Sequence, residues 1–118
     1  MSAFDRLSAR DVEIIRDCLT AAVRGPFFPD WEFQTLMGLE RAEVEQVLGA
    51  WPASSNSENQ DVAVNNVLNN LLGYPHEEWD AWPSYISVQP AEVASVLARW
   101  RGDDEFDWDA RGYFDRLE

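Results

Sequence analysis

Apolar residues recur three and four positions apart along most of this 118-residue chain, and glycine or proline cuts each run short. No other feature narrows the fold as far. A 3.6-residue period commits a segment to an amphipathic helix, and the breakers limit its length. Ser8 can cap a first helix whose third position is Asp11, with Val12, Ile15, Leu19, Ala22 and Val23 as its stripe and Gly25-Pro26 as its end. Asp30 caps a short helix from Trp31 to Met37, closed by Gly38. Leu39 to Ala50 follows, with Leu39, Val44, Val47, Leu48 and Trp51 on its apolar side. A fourth helix runs from about Asn59 to Leu72, with Gly73 as a left-handed stop. Pro90 suits the first turn of a last helix that turns Val93, Val96, Leu97 and Trp100 inward and ends at Gly102. Between these two, Tyr74 to Gln89 reads as irregular, with at most one short strand near 85–88.

The expectation is a mostly α, compact single-domain bundle of about five helices over residues 1–118. An acidic, aromatic C-terminal element at 103–118 is expected to fold back on it through Phe106, Trp108, Tyr113 and Phe114. Four of the six prolines follow an aromatic: Phe28-Pro29, Trp51-Pro52, Tyr74-Pro75 and Trp82-Pro83. A proline pushes its predecessor out of the helical region, so these pairs mark element ends, and their aromatics are expected to plug the ends of the core. Residues 52–60 form the longest polar loop.

The charge is lopsided. Twenty-two acids face nine bases, all arginine. The fifty-seven residues from Ala42 to Ala98 carry no Arg or Lys, yet hold Glu43, Glu45, Glu58, Asp61, Glu77, Glu78, Asp80 and Glu92. Such a region repels nucleic acid and anionic lipid and attracts a basic partner. The helix–glycine–helix outline around Gly38 resembles a helix-turn-helix, but the would-be reading helix offers Glu40, Glu43, Glu45 and Gln46 with only Arg41 to meet a phosphate. The pair is therefore read as a helical hairpin of the core. With one cysteine, an N-terminus (MSAFDRLSARD) lacking the signal-peptide pattern and no apolar run near ~18 residues, the expectation is a cytoplasmic protein without disulfide or membrane span.

"AVNNVLNNLLGYPH", residues 63–76, is the unusual segment. Asparagine is a poor helix former, yet Asn65, Asn66, Asn69 and Asn70 occupy one arc beside Val64, Val67, Leu68, Leu71 and Leu72. A carboxamide both donates and accepts without carrying charge. The face can therefore tie down backbone groups, the expected target being the loop from Gly73 to Tyr85, or meet a partner's polar groups.

Candidate chemistry is sparse. His76 stands beside Glu77, Glu78 and Asp80, but adjacent residues seldom converge on one metal ion, so it reads as a capping or surface histidine. Cys18 lies among apolar neighbours and reads as a core thiol; Ser54, Ser55 and Ser57 lack a nucleophile elbow. No catalytic residue, metal or cofactor is assigned, and nothing specifies an oligomeric state. The leading reading is a non-catalytic acidic protein-binding module, in the manner of an inhibitor, antitoxin or immunity protein, engaging a basic partner and not nucleic acid or membrane. Its binding residues would be Asn66, Asn70, Tyr74, His76, Glu77, Glu78, Trp79, Asp80 and Trp82, with Trp31 a further aromatic among acids. One alternative is a small enzyme or ligand-binding domain with a pocket between the Asn65–Asn70 helix and the 74–85 loop, His76 being its acid-base group. Another is a nucleic-acid mimic.

Overall fold

A computed structural model describes residues 6–53 and 56–102. Among these described residues six helices follow one another: α1 (Ala9–Arg24), α2 (Asp30–Met37), α3 (Arg41–Ala50), α4 (Ser57–Gly73), the single turn α5 (Trp82–Tyr85) and α6 (Pro90–Arg101). The fold is all-α, as the periodicity requires, and no strand occurs among the described residues. The expected C-terminal element at 103–118 lies outside the described residues, as do Ser54 and Ser55.

Local chemistry explains where each helix begins and ends. Ser8 Oγ accepts from the Asp11 amide at 3.0 Å while Asp11 Oδ2 accepts from the Ser8 amide at 3.1 Å, a reciprocal cap on α1. At Gly25 any Cβ would come within 2.6 Å of the Ala21 carbonyl oxygen, so only glycine allows the chain to leave the helix there. α2 starts one residue earlier than its cap motif suggests, because the Asp30 carboxylate turns to Arg41 at 2.7 Å instead of capping. α3 starts at Arg41, with Glu40 and Glu43 forming the reciprocal cap and Leu39 left before it as a buried anchor. α4 starts at Ser57, where Asn56 Oδ1 accepts from the Asn59 amide at 3.0 Å. Its end differs from expectation too. Gly73 remains helical, and Tyr74, held extended by Pro75, is the residue that breaks the run. Where a short strand was possible, Trp82 to Tyr85 instead form a helical turn, and the Val88 carbonyl accepts from Trp82 Nε1 at 2.8 Å.

α4 is the central element, packed by α1, α2, α3 and α6, while α1 also meets α3, α5 and α6. The supposed α2–α3 hairpin is therefore two helices that each rest on α4. Val64, Val67, Leu68, Leu71 and Leu72 of α4 are fully buried against Ile15, Leu19 and Cys18 of α1 and Val93 and Leu97 of α6. The aromatic–proline pairs do plug the core, since Phe28, Trp51 and Trp82 are buried and Tyr74 is half-buried. No helix among the described residues is long and apolar enough to cross a membrane.

Candidate functional site

The asparagine face turns out to serve a neighbouring helix. Asn66 Nδ2 donates to the Met37 carbonyl at 2.7 Å, and Asn70 Nδ2 donates to the Leu36 carbonyl at 3.0 Å. Leu36 and Met37 end α2, and the last carbonyls of a helix have no acceptor role within it. The carboxamides supply the missing donors. Asn65 extends the row, accepting from Arg101 Nε at 2.7 Å and donating to Asn66 Oδ1 at 3.1 Å, so the ends of α6 and α2 are joined across α4. The anchored element is thus α2, and not the 73–85 loop. Asn66→Ala should cost about 1–3 kcal/mol, because a buried carbonyl is left unpaired, against only a few tenths recovered from alanine's better helix propensity. Thermal melts check this, and an unchanged Tm would refute the anchoring role.

The residues from Tyr74 to Trp82 form a tight, strained turn system over the open end of α4. The Tyr74 hydroxyl donates to the Glu32 carboxylate on α2; this bond, with burial and the carboxylate's charge, raises the phenol pKa. His76 is buried. Its Nε2 stands 3.1 Å from the Leu71 carbonyl, and its Nδ1 accepts from the Glu78 amide at 2.9 Å. These partners select the neutral ring with its hydrogen on Nε2. Phe27 meets the ring edge-on at 5.0 Å and Trp79 lies at 4.5 Å. Glu77, next in the chain, has φ +57°, a left-handed conformation that costs any residue bearing a Cβ. His76 is therefore a buried structural group rather than a surface one, with no ring nitrogen free for acid-base work. Nor does the structure gather Asn66, Asn70 and His76 into one pocket wall, since each is turned to a different backbone carbonyl.

Trp79 and Trp82 lie with ring centroids 5.3 Å apart. With Pro83, Ile86, Val88 and Pro90 they line a groove of about 220 Å³. Trp82 forms its buried floor and Trp79 its half-exposed wall. The Trp82 Nε1–H is bonded to Val88, whereas the Trp79 Nε1–H has no acceptor among the described residues. Ser87 to Gln89 connect this groove to a wider, open trough beside Arg10, Glu92 and Ser95. The sequence marks both tryptophans, but in it Pro83 reads as punctuation, Ile86 and Val88 as part of a possible short strand, and Pro90 as the start of a helix.

The arginines stand elsewhere. Arg41 donates to the Ala22, Val23 and Phe28 carbonyls and lies over the Phe33 ring at 4.3 Å. It ties α3 to the end of α1. Arg99 pairs with Asp11, Arg24 with Glu45, Arg10 with Glu92, and Arg6 donates to the last carbonyls of α6. Among the described residues Glu58, Asp61, Glu77, Glu78 and Asp80 make no ion pair. Three of these five surround Trp79 in the chain. Trp31, on the outer side of α2, is 80% exposed, the one large apolar side chain left so among the described residues.

Cys18 is fully buried, and burial, with a lesser push from Asp17, raises its pKa far above the thiolate range, so it is an inert core thiol. No group of three or more His, Cys, Asp or Glu that could hold a metal ion occurs among the described residues. No protein-family model matches the chain, and neither does any curated protein or solved structure.

Proposed function

We propose that the protein is a non-catalytic, acidic binding module whose groove along Trp79, Trp82 and Pro90 receives a basic segment of a protein partner. One observation carries the reading. A groove lined largely by apolar side chains has on its wall Trp79, whose indole N–H has no acceptor among the described residues. Trp79 is flanked in the chain by Glu77, Glu78 and Asp80, carboxylates with no cation of their own among those residues. Aromatic walls are frequent anchors at interface centres, and unpaired charge at the rim steers a partner of opposite sign. An inhibitor, antitoxin or immunity-type role fits this arrangement. Trp31 offers a second aromatic contact on the same acidic molecule.

The test begins with capture from native lysate at low and high salt, followed by association rates for the captured partner. Steering charge acts over a Debye length of roughly 8 Å at physiological ionic strength. The triple change Glu77→Gln, Glu78→Gln, Asp80→Asn should slow association by about tenfold at low salt and flatten its salt dependence, with the helical fold intact. An association rate indifferent both to salt and to the triple change would overturn the proposal.

A further inference from the structure

We propose that His76 is a proton-operated latch: mild acid releases the turn from Tyr74 to Trp82 and with it the Trp79 wall of the groove. The geometry leaves the closed turn no place for an imidazolium. Nδ1 must be an unprotonated acceptor, because the group 2.9 Å away is the Glu78 amide, which can only donate. A proton on Nδ1 would set N–H against N–H, and the ring could relieve this only by leaving its site. The opposite nitrogen is fixed at the Leu71 carbonyl, and Phe27 and Trp79 pack against the ring at centroid distances of 5.0 and 4.5 Å, so the ring cannot turn without giving up that bond and displacing them. The turn it holds also contains left-handed Glu77, whose strain the ring's two bonds help to maintain.

The surroundings are almost uncharged. The segment Gly25–Pro29 that carries Phe27 has no ionisable side chain, nor has the last turn of α4 from Leu71 to Gly73. α5 brings only Tyr85, stacked edge-on against Phe27, and on the turn itself Tyr74 is bonded away to Glu32. Of Glu77, Glu78 and Asp80, only Glu78 acts on the ring, favouring the proton, as does the Leu71 carbonyl. Burial outweighs both and holds the histidine below its ordinary 6.5. The closed turn thus binds the proton more weakly than the open one. The latch is secure above pH 6.5, and its hold falls as pH drops below that value until the closed form itself is protonated. The consequence for partner binding rests on the groove being the binding surface; the latch itself needs no partner.

Amide hydrogen exchange on the whole protein tests it, read from about pH 7.5 to about pH 5 and corrected for intrinsic rates. Protection of the Glu78 amide should fall by up to about tenfold per pH unit below 6.5, while amides in the middle of α4 keep theirs. The His76 ring should titrate below 6.5 in the same samples. His76→Asn separates the latch from general acid weakening, since an asparagine carboxamide can accept from the amide two residues on yet does not titrate. In that variant Glu78 protection should lose its pH dependence. Wild-type protection that stays flat across this range, or a pH dependence that survives in folded His76→Asn, would overturn the latch. Should His76→Asn fail to fold, the wild-type profile and the ring titration decide alone. Because no partner enters this experiment, its failure is distinct from failure of the binding reading.

Discussion

Leu68→Ala should destabilise the protein by about 2–5 kcal/mol, with no change in helical content before the melt. Leu68 is fully buried at the middle of α4, and α4 is packed by α1, α2, α3 and α6. With neighbours on every side already held by their own contacts, the walls of the new cavity cannot close, and the cost should sit toward the upper end. Glu45→Ala is the contrast. Its carboxylate meets Arg24 at 3.8 Å with both side chains more than half exposed, a surface pair whose removal should stay within about 0.5 kcal/mol. Urea melts read both. A loss below about 1 kcal/mol for Leu68→Ala would mean that α4 is not the central helix.

Asp11→Ala should cost about 2–3 kcal/mol, the largest effect expected of any single charged residue. Arg99 donates to both of its oxygens at 2.9 Å, Ser8 closes the cap on the same group, and the carboxylate itself is almost wholly buried. Water reaches part of the Arg99 guanidinium, which keeps the figure below that of a fully buried pair. The interaction also sets an acid limit. Burial works against the charged form, but the Arg99 hydrogen bonds, the Ser8 bonds and the Arg99 charge together outweigh it and lower the carboxyl below 3.8. The folded state therefore binds this proton more weakly than the unfolded one. Stability from Asp11 is complete above 3.8 and disappears as pH falls through the folded value. Denaturant midpoints followed downward from neutral pH should drop more steeply in the wild type than in Asp11→Ala. Asp11→Asn, which can still accept from Ser8 but does not titrate, should lie between the two in stability at neutral pH while following the shallow profile of Asp11→Ala. Parallel profiles for wild type and Asp11→Ala would show that the Asp11–Arg99 pair contributes nothing to folding.

Much of what depends on neighbours within a turn or two was legible in the sequence. The Ser8–Asp11 cap, the end of α2 at Gly38 (φ +72°), the proline start of α6 and its stop at Gly102 (φ +75°) follow from local backbone chemistry. So do the buried stripes of α1, α4 and α6, and the inert Cys18 among them. A helical period names the face that leaves water without naming what it meets. The errors in element ends were also local, but they were contests between two permitted outcomes. Tyr74 rather than Gly73 breaks α4 because Pro75 constrains it, and Asp30 abandons its cap for an arginine eleven residues on.

What tertiary structure decided is the partner of each polar group. The sequence showed four asparagines on one arc and could offer them a loop or a ligand; the docking of α2 across α4 turned two of them to the carbonyls of Leu36 and Met37. It showed a histidine among acids, where folding put Phe27 and Trp79 on its ring and a backbone amide on its acceptor nitrogen. It showed Arg41 as the only cation on a helix with the outline of a phosphate-approaching reader, and folding directed that guanidinium into the end of α1. The physical reason is common to all three. Apolar burial is set by side-chain type and spacing, which the sequence contains. A hydrogen bond, by contrast, requires its two atoms within about 3 Å in a defined direction, and for residues far apart in the chain that proximity exists only once the helices have docked.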